Sequence, residues 1–332
     1  MDEKQMYIDG QWCASSDNNA HEVLNPATGE TIATTPKASL ADVDRCVAAS
    51  KAAFTDRSWS AMDPAERGRM LNRMAQATYA SAKSLAAIES TNNGKTFREA
   101  LSEIRFGAWT LEYFAGLSDK IEGSTIPVPG NRLNYTLRQP IGVTAHIIPW
   151  NFPLQLALRS IAPALAAGCT VIAKPASWTP LSLIAWLEAM HEAEVGLPEN
   201  VVQVITGSGG LIGDALAGHA DIDGIVLTGG GSQLKHLKQL VEYITGMDTR
   251  VGYPSEHLAG DTQEAVSSPL FATSVGLLMS ALEGDTIVVE SSETRESEEL
   301  TEENEQPAEV AIKRKSIFDR FGEKLKEFLD NA

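Results

Sequence analysis

Cysteine is scarce in this chain of 332 residues, which has three thiols, Cys13, Cys46 and Cys169, and none beyond them. Their wide spacing fits neither a zinc site nor a disulfide framework, so the sequence predicts neither. Long apolar runs are also missing, because the longest one, Pro269 to Leu282, is too short and too rich in Ser and Thr to span a bilayer. The first ten residues are polar, so we expect no signal peptide and a cytoplasmic protein.

Positive charge is also in short supply, since the net charge is −17. Residues 1–228 contain 24 acidic and 17 basic side chains, and residues 229–332 contain 20 and 10. A nucleic-acid-binding protein would present a basic face, so this balance argues against that class. Residues 283–309 hold eleven acids and only Arg295 as a base, so we predict a disordered acidic linker at 283–312.

Helix signals dominate the first part of the chain, after short strands and turns between residues 7 and 34. A helix is predicted from Ser39, an N-cap residue, to Phe54. A second helix is expected to begin at Pro64, because proline is favoured at the first helical position. More helix is predicted to about Gly116, with a break near Asn92-Asn93-Gly94.

From residue 143 to residue 227, strand and helix signals alternate four times with short loops. This pattern predicts an α/β fold in which helices cover both faces of a Rossmann-like parallel sheet. The predicted strands are Val143–Ile148, Val171–Ala173, Val201–Ile205 and Ile222–Leu227. The predicted helices are Pro153–Ala166, Pro180–Ala193 and Leu211–Ala217.

Five motifs in one order make the sequence more specific than this pattern alone. They are NPATGE (25–30), IIPWNFP (147–153), AGCTVIAKPASWTP (167–180), GLPENVVQVITGSGGLIGDAL (196–216) and VLTG (226–229). Together they resemble the NAD(P)-dependent aldehyde dehydrogenase family over residues 5–229. The resemblance implies a truncated NAD(P)-binding domain of that type at 1–228, and an oxidoreductase that converts an aldehyde to a carboxylic acid.

The resemblance also implies roles for individual residues. Asn151 would be the oxyanion donor, whose side-chain N–H stabilises a tetrahedral thiohemiacetal. The implied cofactor-binding residues are Ile148, Pro149, Trp150, Lys174, Ser177, Gly209, Gly213, Thr228 and Gly229. From the residues alone, other readings stay open: a turn before Pro153 for Asn151, a solvated strand cap for Lys174, and a plain turn for the glycines.

Ser177 departs from the Glu that is common in NAD-preferring members of the family. A carboxylate at this position would accept hydrogen bonds from the ribose hydroxyls and repel a 2′-phosphate. Because Ser removes that repulsion, the sequence predicts that NADP is accepted as well as NAD.

Two catalytic elements of the family are not found in the sequence. The family's nucleophile is a downstream Cys and its general base a Glu in a Gly-rich segment, whereas no Cys follows Cys169 here. Cys169 lies at a predicted strand entrance, where buried thiols are usually inert. We therefore expect a catalytically incomplete chain. Leu133 to Leu137 alternates as a half-exposed strand should, so a strand is predicted there. This segment resembles the family's oligomerisation ribbon without its usual partner, which predicts self-association through exposed strand edges.

Residues 225–332 resemble the C-terminal part of FtsA, the actin-like bacterial cell-division protein. The resemblance implies a partial actin-like α/β module at 229–282 and an amphipathic membrane-targeting helix at 313–332 with a basic flank. This favours, as an alternative function, a non-enzymatic division-protein fragment peripheral to the inner face of the cell membrane. Packing of the helix on the protein's own body is the competing reading. The apolar face of that helix consists of Ile317, Phe318, Phe321, Leu325, Phe328 and Leu329.

The two resemblances meet at VLTG, where both families run a strand into a Thr-Gly turn. A gene fusion or an assembly error would join them there without a local clash. A third alternative is a polypeptide with no selected function that folds only in part.

Overall fold

The structure is a computed structural model and describes residues 2–227. Five strands come first, four helices follow, and strands and helices alternate from β8 onward. The strands are β1 (Asp2–Glu3), β2 (Met6–Ile8), β3 (Gln11–Cys13), β4 (Ala20–Leu24), β5 (Thr31–Pro36), β6 (Thr125–Ile126), β7 (Asn134–Tyr135), β8 (Val143–Ile147), β9 (Thr170–Lys174), β10 (Val202–Val204) and β11 (Gly224–Leu227). The helices are α1 (Leu40–Thr55), α2 (Pro64–Ala80), α3 (Ala82–Asn93), α4 (Phe97–Leu117), α5 (Pro153–Ala167), α6 (Leu181–Glu192) and α7 (Asp214–Ala217).

A six-stranded sheet with the order β11-β8-β9-β10-β2-β3 forms the centre of the fold. The first four strands are parallel, as the sequence predicted. The expectation of a purely parallel sheet is wrong at one edge, because β2 pairs antiparallel with both β10 and β3. The hairpin β2–β3 joins the central sheet by pairing with β10, which is far away in the sequence, and the alternation of its own residues does not reveal this pairing.

Helices cover both faces of the sheet, which confirms the predicted layering. The larger core lies under α2, α4, α5 and α6, and includes the fully buried Trp59 and Trp186. The Trp186 indole donates to the Thr78 hydroxyl at 2.9 Å, so its polar atom is satisfied within the core. The smaller core lies under α1 and α7 on the opposite face and includes Val47 and Leu216.

The helix boundaries agree with the sequence signals. Ser39 and Asp42 form a reciprocal capping box at the start of α1. Asp63 caps α2, in which Pro64 occupies the first turn. Gly94 ends α3 in the left-handed conformation, with φ of 88°, which explains the predicted break before α4.

The predicted strand from Leu133 to Leu137 is shorter than expected. Only Asn134 and Tyr135 pair, with β6, in a separate two-stranded ribbon. Asn134 and Tyr135 are both exposed, as are Leu133 (76%) and Leu137 (70%). The predicted alternation of buried and exposed side chains is therefore wrong. No described helix is long and apolar enough to cross a membrane. The predictions for residues 229–282, 283–312 and 313–332 lie outside the described residues.

Candidate functional site

The order of the parallel strands reverses beside β8. The chain proceeds from β8 to β9 and β10 on one side and then returns to β11 on the other side of β8. In open α/β sheets, the loops on the two sides of such a reversal run in opposite directions. A crevice therefore forms between them at the carboxyl ends of the strands. Here that edge carries Ile148 to Asn151, directly after β8. Thr228 and Gly229, which follow β11, lie outside the described residues.

The loop after β8 is fixed through its main chain. The Ile148 N–H donates to the Lys174 carbonyl at 3.0 Å, which continues the pairing of β8 with β9. The Trp150 carbonyl accepts a 2.7 Å hydrogen bond from the Asn93 side chain. The Asn151 carbonyl accepts one of 2.9 Å from the Lys95 ammonium. The exposed Asn151 side chain makes no hydrogen bond to any described residue, so its amide N–H is available to a ligand.

An ionic cluster behind this loop explains why Lys95 is held in place. Lys95 pairs with Glu103, lies 3.8 Å from Glu89 and is 4.7 Å from the centre of the Phe152 ring. Glu89 is fully buried, and its carboxylate accepts the Leu154 N–H at 3.1 Å. Burial raises the pKa of Glu89, against the lowering effect of that hydrogen bond and of Lys95. The end of α3 therefore clamps the segment that contains Asn151.

The sequence analysis missed this clamp and treated Asn92-Asn93-Gly94 only as a helix break. A signal was present in the segment Glu89–Lys95 (ESTNNGK), which has more polar side chains than a helix end requires. Asn92 illustrates the point, because it donates to the Trp178 carbonyl at 2.9 Å and accepts the Leu181 N–H at 3.2 Å.

Lys174 lies at the carboxyl end of β9, as predicted, and is only 2% exposed. The structure thus excludes a solvated strand cap. The Lys174 ammonium donates to the Pro175 carbonyl at 3.1 Å, and no carboxylate of residues 2–227 forms an ion pair with it. Burial lowers the pKa of Lys174 to about 8. An ammonium has three N–H donors, so two stay available for ligand hydroxyls.

The glycine-rich segment lies next to this strand end. The Ser177 hydroxyl donates to the Gly207 carbonyl at 2.8 Å, which joins the two segments. A π-helical turn at Gly209–Gly213 replaces the start of the predicted helix. A Cβ atom on Gly209 or Gly213 would meet no atom within 4 Å. The fold itself does not require glycine there, whereas a ligand that approaches the backbone closely would.

No thiol of the described residues lies at the strand reversal beside β8. Cys13, which ends β3, is at the carboxyl edge of the sheet but three strands away from β9. Cys169 is 4% exposed and precedes β9, about 16 Å of extended strand from Lys174. Cys46 is fully buried in α1, where burial raises the pKa of the thiol. Cys13 is half-buried at the end of β3, 3.4 Å from the Arg45 guanidinium. The predicted inert position of Cys169 therefore agrees with its burial at the opposite edge.

Comparison with known proteins identifies this arrangement. The chain matches the aldehyde dehydrogenase family over residues 12–246. It belongs to that family. The match extends past the boundary predicted at residue 229, and the FtsA-like segment stays a prediction from the sequence.

Two relatives and one solved structure illustrate the membership. The hydroxyisobutyraldehyde dehydrogenase of Mycolicibacterium austroafricanum is 39% identical over 79% of this chain and 53% of its own length. Mouse cytosolic aldehyde dehydrogenase 1 is 41% identical over 71% of this chain and 47% of its own. The betaine aldehyde dehydrogenase of Staphylococcus aureus, solved with NAD+, has a TM-score of 0.69 at 34% identity, over 73% of this chain and 48% of its own.

The chain spans about half the length of the curated relatives that it matches. The shared half includes the crevice at the strand reversal, the Asn151 loop and the buried Lys174.

Proposed function

We propose that this chain provides the dinucleotide-binding half of an aldehyde dehydrogenase and binds NAD or NADP at the carboxyl edge of its sheet. The observation that carries the proposal is the reversal of strand order at β8. It brings the loop from Ile148 to Asn151 to the same edge as Lys174, a buried ammonium with free donors. The nearby open backbone at Gly209 and Gly213 supports it.

Each predicted residue has a defined task in this proposal. Lys174 donates hydrogen bonds to the ribose hydroxyls, and Ile148, Pro149 and Trp150 form the wall beside them. The sequence resemblance assigns Thr228 and Gly229, which lie outside the described residues, to binding of the pyrophosphate. When bound, NAD(P) accepts a hydride from the substrate.

Asn151 acts on the substrate and not on the dinucleotide. Its side-chain N–H donates to the oxygen that becomes negative as a nucleophile attacks the aldehyde carbon. Lys95 holds the Asn151 main chain, so the backbone that carries this donor is in place before substrate arrives.

Binding is tested by titrating the purified chain with NAD and NADP while following fluorescence, since Trp150 is 61% exposed beside the crevice. Saturable quenching is expected. Lys174→Met should weaken binding of both dinucleotides by about tenfold or more, because it removes charge-assisted donors. Lys83→Met, a change of an exposed lysine on α3, is the matched control. Lack of saturable binding to the unaltered chain would contradict the proposal.

We further propose that residues 1–332 do not turn over aldehydes. Catalysis by this chemistry requires a thiolate at the crevice. Cys13, Cys46 and Cys169 are the only thiols in the sequence; Cys46 and Cys169 are buried, and Cys13 ends β3, three strands away from β9 and outside the crevice at β8. The test is aldehyde-dependent formation of NADH, followed at 340 nm with several aliphatic and aromatic aldehydes. No NADH formation is expected, and any aldehyde-dependent NADH formation by the unaltered chain would contradict this proposal. Its loss in Cys13→Ala or in Cys169→Ala would then identify the thiol responsible.

A second candidate function is attachment to the inner face of the cell membrane through residues 313–332. The support is the FtsA resemblance together with the apolar face and basic flank of that segment. The test is cosedimentation with anionic liposomes, with a chain cut at Lys313 as control. Equal sedimentation of the two chains would contradict it.

Self-association through the β6–β7 ribbon is a related proposal, supported by the exposure of Leu133 and Leu137. Light scattering of the unaltered chain and of a Leu133→Ser/Leu137→Ser variant tests it. Larger particles are expected only for the unaltered chain, and the same mass for both would contradict the proposal.

A further inference from the structure

Two of the three thiols, Cys13 and Cys46, come together under α1 although they are far apart in the sequence. Cys13 is the last residue of β3, is half-buried and packs against the smaller core. Its strand partner Met6 and the fully buried Cys46 both belong to that core. Residues directly opposite each other in an antiparallel pair share one face of the sheet, so Cys13 lies on the face that α1 covers.

Hydrogen bonds fix the position of Cys13 along α1. The Ser15 hydroxyl, two residues after Cys13, donates to the Asp42 carboxylate at 3.2 Å. The Arg45 guanidinium donates to the Cys13 sulfur at 3.4 Å and to the Asp42 carboxylate at 3.2 Å. Since Cys46 directly follows Arg45, Cys13 lies beside the turn of α1 that contains Cys46.

Cys46 is joined to the same hairpin through a buried glutamine. The Gln203 side-chain amide donates to the Cys46 carbonyl at 2.8 Å, and its oxygen accepts the N–H of Asp9, between β2 and β3, at 2.8 Å. Burial raises the pKa of the Cys46 thiol, the Arg45 charge lowers it, and the Cys13 thiolate raises it further. These charge effects show that the two sulfurs are near each other.

The surroundings of the thiols predict which one reacts first with an oxidant. The thiolate is the reactive form of cysteine, and a neighbouring cation favours it. Cys13 is half-buried and has the Arg45 guanidinium beside its sulfur, whereas Cys46 and Cys169 are buried. We therefore expect Cys13 to be modified before the other two.

We propose that Cys13 and Cys46 form a peroxide-sensitive thiol pair that closes to a disulfide between β3 and α1. The Cys13 thiolate attacks one oxygen of hydrogen peroxide and the O–O bond breaks. Cys13 becomes a sulfenic acid, and the hydroxide that leaves takes up a proton to form water. The Cys46 sulfur, after losing its proton, attacks the sulfenic sulfur, the S–O bond breaks, and a second water leaves.

The net change oxidises two thiols to one disulfide and reduces one peroxide to two waters. The inference concerns a modification site and does not depend on dinucleotide binding. The sequence spacing predicted no disulfide, because only the fold brings β3 against α1.

The test treats the folded full-length chain with hydrogen peroxide and identifies the products by peptide mass spectrometry, with and without dithiothreitol. The chains are the unaltered one, Cys13→Ser, Cys46→Ala and the matched control Cys169→Ala. The unaltered chain and the control should give a peptide that links Cys13 to Cys46 and is separated by reduction. Cys13→Ser should give no such peptide, and Cys46→Ala should accumulate a Cys13 sulfenic acid that dimedone traps.

A further variant, Arg45→Met, tests the cation while keeping both sulfurs. It should slow the modification of Cys13 by about two- to fivefold, as expected for the loss of a partly exposed charge next to the thiolate. Lys83→Met, a change of an exposed lysine far from β3 in the sequence, should leave the rate unchanged. An unchanged rate in Arg45→Met would overturn the role given to the guanidinium.

Three outcomes would overturn the thiol pair itself. They are the absence of a disulfide between Cys13 and Cys46, a disulfide that includes Cys169, and a link between the Cys13 residues of two chains. Because Cys46→Ala changes a core residue, dimedone is also added to the unaltered chain during oxidation. A sulfenic acid that appears on Cys13 before the disulfide supports the proposed order, and one that appears first on Cys46 contradicts it. Thermal unfolding of each variant checks the fold.

Discussion

Two buried lysines at the same edge of the sheet have opposite surroundings. Lys95, 10% exposed, pairs with Glu103, approaches Glu89 and donates to the Asn151 carbonyl. Lys174, 2% exposed, has one protein acceptor, the Pro175 carbonyl. The charge of Lys95 is neutralised inside the protein and holds a loop, whereas no ion pair offsets the cost of burying the charge of Lys174.

This difference teaches how a fold separates support from binding. A buried charge that the protein itself satisfies contributes to structure, because removing one partner leaves the other uncompensated. A buried charge without such partners costs stability and is available for a ligand. The depressed pKa of Lys174 and the ion pairs of Lys95 are the signs of these two roles.

The largest effect is expected when the satisfied lysine is removed. Lys95→Met leaves Glu89 and Glu103 without a counter-charge, and should lower the free energy of unfolding by about 3–5 kcal/mol. Urea denaturation at pH 8 measures it. Lys120→Met, which breaks the exposed pair with Asp119, is the matched control and should cost less than about 1 kcal/mol. Similar losses in the two variants would show that the buried ionic cluster stabilises the fold no more than an exposed ion pair does.

Removal of Lys174, which has no counter-charge among the described residues, should raise the free energy of unfolding. The pKa of Lys174 is about 8 in the folded chain and 10.5 ordinarily, so between these values the unfolded chain holds a proton that the folded chain has released. Its contribution to the free energy of unfolding therefore rises with pH across this window, by about 3 kcal/mol in all. Lys174→Met should be more stable than the unaltered chain near pH 7, and the difference should vanish near pH 10.5.

Denaturation of both chains at several pH values between 7 and 10.5 provides the measurement. Lys83→Met is the control, because its exposed side chain should leave the pH dependence unchanged. Parallel profiles for the unaltered chain and Lys174→Met would show that Lys174 does not carry the penalty.

The smallest effect is expected when an uncharged hydrogen bond to the loop after β8 is removed. Asn93→Ala removes the 2.7 Å hydrogen bond to the Trp150 carbonyl at an exposed position. The expected loss in the free energy of unfolding is about 1 kcal/mol, the usual net value of one such bond. Thermal unfolding measures it, with Lys83→Ala as control, because this exposed α3 side chain makes no hydrogen bond or ion pair to the described residues. A loss as large as that of Lys95→Met would mean that the ionic cluster is not the main support.

Much of the fold was predictable because its signals are local. Ser39, Pro64 and Gly94 mark helix ends through their own caps and backbone angles, and the four apolar strands are short runs bounded by turns. The addition of the N-terminal hairpin to the sheet was not predictable, because antiparallel pairing of Tyr7 with Val204 joins residues far apart in sequence.

The candidate site also has a part that was predictable from the sequence and a part that was not. The positions of Asn151 and Lys174 after their strands were predicted from motifs, and the structure places both at the carboxyl edge. Their environments were not predicted. The clamp from Glu89 and Lys95 depends on packing between segments that are distant in the sequence, so no local pattern predicts it.

By itself, the sequence determined the family, the alternation of strands and helices, and which residues follow which strand, since these depend on local propensity and on motifs in fixed order. Only the tertiary structure decided which charges are neutralised and which are left for a ligand. Desolvation and ion pairing depend on neighbours brought together by folding, so two lysines that look alike in the sequence acquire different surroundings and different roles.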